Sequence, residues 1–112
     1  MDEDLLSLME ASRAINSKLI SVIRIKILSS LYVLGPDGAT FRELKATLNI
    51  PDGLMYSNLK VLEGMGIIRS EKITLEGKQL ENYKMTAEGY SQWDAARSWL
   101  CKFLCLGGGF GT

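Results

Sequence analysis

The hydrophobic positions between residues 40 and 68 predict two short helices joined by a turn, and the rest of the chain is arranged around them. The first helix opens with Thr40 and Glu43 at the spacing of a capping box, in which each side chain bonds the backbone amide of the other residue. The apolar face of this helix is expected to consist of Phe41, Leu44 and Leu48.

A second helix is predicted over residues 52–64, after a turn that contains Pro51, and Asp52 is expected to cap it. Its buried face is expected to consist of Met55, Leu59 and Leu62. The other faces mix apolar, hydroxyl, amide and cationic groups, in Leu54, Tyr56, Ser57, Asn58, Lys60 and Val61. Such a mixture is typical of a contact surface. The pair of helices fits a helix-turn-helix, although by itself it also fits the core of an all-α protein.

Two further helices are predicted ahead of this pair. Residues 1–15 carry an apolar stripe of Leu5, Leu8, Met9, Ser12 and Ile15. Because so short a helix is marginal alone, the stripe must pack on the C-terminal helix of the same chain or on a second subunit. Residues 19–34 repeat isoleucine and leucine at helical spacing, which predicts a central core helix buried on more than one side.

The segment after Gly66 predicts a β-hairpin, with one strand over residues 67–75 and the other over residues 80–85. Gly77 supplies the permissive backbone at the tip, where Lys78 is also placed. Because an isolated two-stranded hairpin is marginal in water, a third strand at residues 39–41 is expected to hold its base.

The last predicted element is a helix over residues 86–104, which Thr86 caps. This helix carries more aromatic and apolar surface than one small core needs, including Trp93, Leu100 and Phe103. Together with the N-terminal stripe, these residues predict a homodimer interface, formed by Leu5, Leu8, Met9, Trp93, Leu100 and Phe103. Residues 107–112 are rich in glycine and are expected to form a disordered tail.

Length and composition fit one globular domain, which is expected to span residues 1–106. No apolar run among the 112 residues approaches the roughly 20 that a membrane helix needs. The 13 basic and 13 acidic residues give a net charge of zero, which argues against unspecific, charge-driven binding of nucleic acid. The acidic start and the lack of a disulfide framework predict a cytoplasmic protein without a membrane partner.

The residues offer no constellation for catalysis. Since the sequence has no histidine and no Gly-rich phosphate loop, neither an enzyme nor a cofactor is expected. Cys101 and Cys105 lie four residues apart on one helical face, which permits a thiol pair for metal or redox sensing. Two thiolates leave a zinc ion two ligands short, so no metal site is predicted, and burial of both cysteines in the core is the favoured interpretation.

Four blocks of residues occur in this order: SVIRIKIL, TFREL, DGL with LKVLE and GII, and YKMTAEG. In order and spacing they resemble the winged-helix transcriptional regulators of the MarR/ArsR-like superfamily, in particular its small archaeal and bacterial single-domain proteins. The resemblance covers residues 21–100. It implies an α+β, mostly α fold: a winged helix-turn-helix with a β-hairpin wing and N- and C-terminal dimerisation helices.

The same resemblance implies a sequence-specific DNA-binding regulator of transcription that acts as a homodimer on double-stranded DNA. Residues 52–64 would enter the major groove, and the wing, residues 72–84, would lie on the backbone or in the minor groove. The implied contacts to base edges or nearby phosphates are Leu54, Tyr56, Ser57 and Lys60. The implied contacts to backbone phosphate are Arg24 and the wing lysines Lys72, Lys78 and Lys84, which could also lie in the adjacent minor groove. Arg24 could instead pair with a carboxylate inside the protein. A small-molecule effector is left open.

The chain departs from the family pattern in two respects. The family often has histidine where this chain has Ser21 and Asn58, and its wings are often richer in arginine. The neutral net charge and this weakly basic wing keep a second function open, that of a winged helix used as a protein–protein interaction module in a larger assembly.

Overall fold

Five α-helices and three strands follow one another in the computed structural model, which describes residues 3–106. The helices are α1 (Glu3–Ala11), α2 (Val22–Leu34), α3 (Phe41–Leu48), α4 (Asp52–Gly64) and α5 (Ala87–Leu104). The strands are β1 (Ala39–Thr40), β2 (Ile68–Leu75) and β3 (Lys78–Met85). The first two residues of the predicted N-terminal helix and the predicted tail, residues 107–112, lie outside the described residues.

The strands form one antiparallel sheet in the order β1, β3, β2. The returning strand of the hairpin, β3, is therefore central. It pairs with β2 along its whole length, and it pairs with β1 at Asn82 and Tyr83. The predicted third strand is confirmed, and it holds the base of the hairpin as expected.

A hydrophobic core fills the space between α2, the pair α3–α4, the sheet and α5. The three residues predicted for the buried face of α4 are fully buried, namely Met55, Leu59 and Leu62. Helix α2 contributes Ile27, Leu28 and Leu31. Its opposite side is open, since Val22 and Val33 are 70% and 83% exposed. Ile23 and Ile25, which lie on different sides of α2, are both partly buried against the core, so the prediction that α2 is buried on more than one side is confirmed.

Hydrogen bonds between residues close in the sequence define both ends of the helix-turn-helix. At the start of α3, the Glu43 amide donates to Thr40 Oγ1 at 3.1 Å and the Thr40 amide donates to Glu43 Oε1 at 3.0 Å, which is the predicted capping box. At the end of α4, the amides of Gly66 and Ile67 donate to the carbonyls of Glu63 and Leu62, both at 3.0 Å. This Schellman motif needs the positive φ of Gly66, 75°, and it leads the chain directly into β2.

Two predicted helix starts need correction. Helix α2 begins at Val22 and not at residue 19, because Asn16 and Ser21 each accept a hydrogen bond from a backbone amide further along the chain. The chain therefore forms a short 3-10 turn, Ser17–Leu19, before a separately capped helix. At the start of α4, the N-cap position is Pro51, which makes no side-chain cap bond. Asp52 lies inside the helix and is not its cap.

Helix α1 packs against α5 of the same chain, one of the two alternatives predicted for it. The indole Nε1 of Trp99 donates to the carbonyl oxygen of Leu8 at 2.8 Å, and the Trp99 ring stacks on Phe103 with 5.2 Å between centroids. Trp93 points elsewhere, into the core, and is 3% exposed. Since it has almost no surface left for a second subunit, the role predicted for Trp93 in a dimer interface is wrong. None of the described helices is long and apolar enough to cross a membrane.

Candidate nucleic-acid interface

Helix α4 presents to solvent the mixed surface that its sequence predicts. Leu54 and Tyr56 are 49% and 54% exposed, and Ser57 and Lys60 are exposed as well. Tyr56 and Lys60 are neighbours one turn apart: Lys60 Nζ lies 5.4 Å from the centroid of the Tyr56 ring, a cation–π arrangement. All four residues predicted to contact bases therefore lie on the accessible surface of one helix.

Arg24 lies between α4 and the linker that joins α1 to α2. Its Nε donates to Asn58 Oδ1 at 3.0 Å, and its Nη1 donates to the carbonyl oxygen of Lys18 at 2.6 Å. Asn58 Nδ2 in turn donates to the carbonyl oxygen of Leu54 at 2.8 Å. Both ends of the Asn58 amide are thus occupied inside the protein. Two of the three guanidinium nitrogens of Arg24 therefore bond protein acceptors, and the phosphate contact stays a prediction.

The wing consists of two eight-residue strands joined by a two-residue turn. Glu76 and Gly77 have φ angles of 52° and 77°, the pattern of a type I′ turn, which glycine adopts without steric cost. Lys78 is therefore the first residue of β3, paired with Leu75, and it lies beside the tip instead of within it. Both residues of this pair are exposed.

The three lysines predicted on the wing differ in their partners. Lys84 Nζ lies 2.7 Å from Glu71 Oε1, and this contact holds the pKa of the Glu71 carboxyl below its ordinary value. Lys72 and Lys78 are exposed, and within residues 3–106 no ion pair closer than 4 Å includes either of them. Two of the three wing lysines therefore lie outside any ion pair of the described chain, although Glu81 is the cross-strand neighbour of Lys72.

The base of the wing is bonded to the end of α4. Ser70 Oγ donates to Glu63 Oε2 at 2.9 Å. The other carboxylate oxygen, Glu63 Oε1, is buried without a hydrogen-bond partner in the described chain and has Lys60 Nζ at 3.6 Å. Burial, with Glu81 and Glu63 nearby, raises the pKa of the Tyr83 hydroxyl in the same region. These contacts hold α4 and the wing side by side as one continuous surface.

Two acidic residues on this surface are each paired with a lysine. Lys45 Nζ lies 3.0 Å from Asp52 Oδ1, so the carboxylate at the N-terminus of α4 has a cation beside it. Glu71 on the wing is paired in the same way with Lys84. Residues 52–85 nevertheless carry five basic and five acidic residues, so α4 and the wing together have the same zero net charge as the whole chain. Glu76 and Glu81, like Lys72 and Lys78, belong to none of the ion pairs found within residues 3–106.

Cys101 and Cys105, which the sequence placed in the core, are both exposed. The prediction is wrong because the last turn of α5 runs past the core, whose last buried residue on this helix is Ala96. Within the described chain no group of three or more potential metal ligands comes together.

Sequence reasoning missed the two contacts that orient α4, the bond of Arg24 to Asn58 and the bond of Ser70 to Glu63. The first pair lies 34 residues apart in the chain, so no periodic pattern relates its members. The residue type of Asn58 is the feature that could have indicated the first bond. Asparagine is unfavourable inside a helix unless its side-chain amide finds a hydrogen-bond partner, and Asn58 lies in the middle of α4.

Comparisons with known proteins agree with this architecture. A family model described as "Winged helix DNA-binding domain" matches residues 23–104. An uncharacterized protein of Methanocaldococcus jannaschii, MJ0432, is 38% identical over 69 residues, which cover 62% of this chain and 73% of that protein.

Solved structures share the fold at lower identity. A transcriptional regulator homologue from Pyrococcus horikoshii OT3 superposes with a TM-score of 0.65 at 20% identity, covering 91% of each chain. The S. aureus MepR–DNA complex gives 0.66 at 20% identity, over 88% of this chain and 82% of MepR. Wild-type MarR from E. coli in its apo form gives 0.62 at 20% identity, over 88% and 76%.

Proposed function

Because the chain belongs to the winged helix DNA-binding domain family, we propose that it is a sequence-specific DNA-binding regulator of transcription, acting in the cytoplasm as a homodimer. The observation that carries the proposal is the accessible mixed surface of α4, which lies beside a hairpin with two exposed lysines that form no ion pair in the described chain. The fold is shared with MepR, which has been solved in complex with DNA.

In this proposal α4 enters the major groove and its accessible residues meet base edges. Leu54 offers an apolar surface of the kind that packs on a thymine methyl group, and the hydroxyls of Tyr56 and Ser57 offer donors and acceptors. Lys60 can reach a guanine edge or a nearby phosphate, and its position over the Tyr56 ring restricts the directions it takes. The free face of α4 thus contains the chemistry that direct readout requires.

The wing supplies contacts that hold the protein on DNA without reading sequence. Lys72 and Lys78 have free ammonium groups on an exposed hairpin, so they are suited to phosphate oxygens of the backbone or to the adjacent minor groove. Lys84 is unsuited to this role because Glu71 already neutralises it. The hairpin thereby offers its own control for the experiment below.

The test measures binding of variants to a selected genomic site and to random duplex over a salt series. Tyr56→Ala and Ser57→Ala should each reduce preference for the selected site by about 1 to 3 kcal/mol and leave binding to random DNA nearly intact. Lys78→Ala should weaken both duplexes alike and shallow the salt slope by roughly one counterion per contact, doubled in a dimer. Lys84→Ala, the matched control, should leave the slope unchanged. If Lys78→Ala alters sequence preference while Tyr56→Ala and Ser57→Ala change nothing, the groove assignment fails.

Dimerisation is proposed through the outer sides of α1 and α5. Met9 is 41% exposed, and Leu5, Leu8, Leu100 and Phe103 are half-buried, although α1 already packs on its own α5. A two-fold dimer would present two copies of α4 to half-sites about one helical turn, or a small multiple, apart. Sedimentation equilibrium at tens of micromolar should show a dimer, and a monomer there would remove this part of the proposal.

An interaction module within a larger assembly is the second candidate, favoured by one observation. The outer side of α2 exposes Val22 and Val33, and a groove of about 450 Å³ lies between α2 and α3 beside Val33. If the protein shows no DNA binding that weakens steeply with salt, this candidate becomes the better one.

A further inference from the structure

Arg24 lies in a series of hydrogen bonds that runs from α5 to α4. Asn16 Nδ2 donates to Gln92 Oε1 on α5 at 3.0 Å, and Asn16 Oδ1 accepts from the Lys18 amide at 3.1 Å. The Lys18 carbonyl then accepts from Arg24 Nη1 at 2.6 Å. Arg24 Nε completes the series at Asn58 of α4, at 3.0 Å. The guanidinium of Arg24 thus joins α4 to the linker before α2, and Asn16 joins that linker to α5.

We propose that Arg24 is a positioning residue of the DNA-binding surface, which fixes the rotation of α4 about its own axis and does not act as a phosphate contact. The inference rests on the proposed function, because the rotation matters for the way α4 meets base edges. It extends that function by assigning sequence preference to a residue that touches no base.

The shape of the guanidinium explains why arginine suits this place. Its N–H donors are fixed in one plane and point in different directions, so one group can bond Asn58 and the Lys18 carbonyl together. A lysine ammonium is a compact point charge at the end of a flexible stem and cannot reproduce this planar bridge. Charge alone is therefore insufficient here, whereas charge is the principal requirement at a phosphate.

The position of Asn58 on α4 explains why loss of its bond to Arg24 would change the preference for a DNA sequence. Asn58 follows Ser57 directly and lies one turn after Leu54, whose carbonyl it bonds at 2.8 Å. If the bond to Arg24 is lost, α4 can roll against α2, and a roll moves Leu54 and Ser57 relative to the groove. Since base contacts need hydrogen-bond geometry, such a movement lowers preference for the selected site more than affinity for DNA in general.

The experiment compares Arg24→Ala, Arg24→Lys, Asn58→Ala and the double variant Arg24→Ala/Asn58→Ala with the unchanged chain. Each variant is first shown to be folded by its thermal unfolding transition. Binding to the selected site and to random duplex is then measured over a salt series. Lys26→Ala is the matched control, because it removes one exposed positive charge two residues along the same helix.

Arg24→Lys and Asn58→Ala should each lower the preference for the selected site by about 10- to 150-fold, the range expected for one hydrogen bond to a charged group. The salt slope should not change in any Arg24 or Asn58 variant. The double variant should lose no more preference than either single alanine variant, since both remove the same bond. Lys26→Ala should keep the preference of the unchanged chain.

Three results would overturn the inference alone: Arg24→Lys behaving like the unchanged chain, a salt slope that falls in Arg24→Ala, or additive losses from Arg24→Ala and Asn58→Ala. The last would mean that Asn58 reads a base itself. Absence of salt-dependent DNA binding in the unchanged chain is a different result, which overturns the proposed function and with it this inference.

Discussion

Replacing Gly89 by alanine should destabilise the fold, whereas the same replacement at Gly64 should not. Gly89 lies in the first turn of α5, against the backbone at the start of the hairpin. A Cβ added there would overlap the carbonyl oxygen of Ile67 and lie 2.9 Å from its carbonyl carbon. Backbone atoms cannot rotate away as the end of a side chain does, so α5 or the chain at Ile67 must shift.

The size of the effect follows from what this shift disturbs. The Ile67 carbonyl accepts hydrogen bonds from the Thr86 amide at 3.0 Å and from Thr86 Oγ1 at 3.2 Å. Weakening two hydrogen bonds costs about 0.5–1.5 kcal/mol each, and relieving an overpacked contact costs about 1–3 kcal/mol. The free energy of unfolding should therefore fall by about 2–6 kcal/mol, out of a total of about 5–15 kcal/mol. The Tm should fall by roughly 10 °C or more.

Gly64, the last residue of α4, provides the matched control. An added Cβ there meets nothing within 4 Å, and the residue is not in a positive-φ conformation. Alanine should then gain helix propensity, up to about 1 kcal/mol. Thermal and urea unfolding followed by circular dichroism measures both variants. A Gly89→Ala protein that melts within about 2 °C of the unchanged chain would refute the reasoning, because it would show that α5 is free to move from Ile67.

Two further predictions concern the core and the wing. Leu59→Ala removes a side chain that is 0% exposed and should lower the free energy of unfolding by about 2–5 kcal/mol. Val61→Ala on the same helix removes a side chain that is 41% exposed and should cost much less. Equal melting temperatures for the two variants would show that α4 is rotated from its assigned orientation. By NMR titration, the pKa of Glu71 should lie below its ordinary value and return toward it in Lys84→Ala. A carboxyl whose pKa is lowered by folding stabilises the folded state at pH values above its pKa in the unfolded chain, and this stabilisation is lost as the pH falls through its pKa in the folded state. The difference in stability between these two proteins should therefore vanish at acid pH. A difference that persists there would contradict the pairing.

The parts of this fold that sequence could predict depend on short-range rules. The Thr40 capping box, the buried stripe of α4 and the turn at Gly77 each follow from residues within a few positions of one another. The third strand was also predictable, because a hairpin needs support and residues 39–41 were the available extended segment.

The errors arise where the answer depends on how helices pack. The apolar stripe of α5 shows that this side of the helix is buried, but it does not show whether the same chain or a second subunit buries it. The sequence therefore predicts Trp93 in a dimer interface, whereas the core of its own chain buries it. The cysteines were assigned by the average burial of their residue type, whereas exposure depends on how far α5 extends beyond the core. For Arg24 the sequence shows a charge but not its hydrogen-bond partner Asn58, 34 residues away, so the bond that joins α2 to α4 could not be predicted.

Within residues 3–106, the outer half of the hairpin has no third strand beside it, so its length can change without altering the rest of the sheet. Strand β1 supports β3 at Asn82 and Tyr83, so in the described residues the four cross-strand pairs from Lys72–Glu81 to Leu75–Lys78 project as a free ribbon. Inserting or deleting one pair alters its length by about 3.4 Å and leaves the core untouched, and changes in steps of two keep every side chain on its original face. The reach of the hairpin can therefore change while the body of the domain stays the same, and under the proposed function this would alter the span of duplex that the wing contacts.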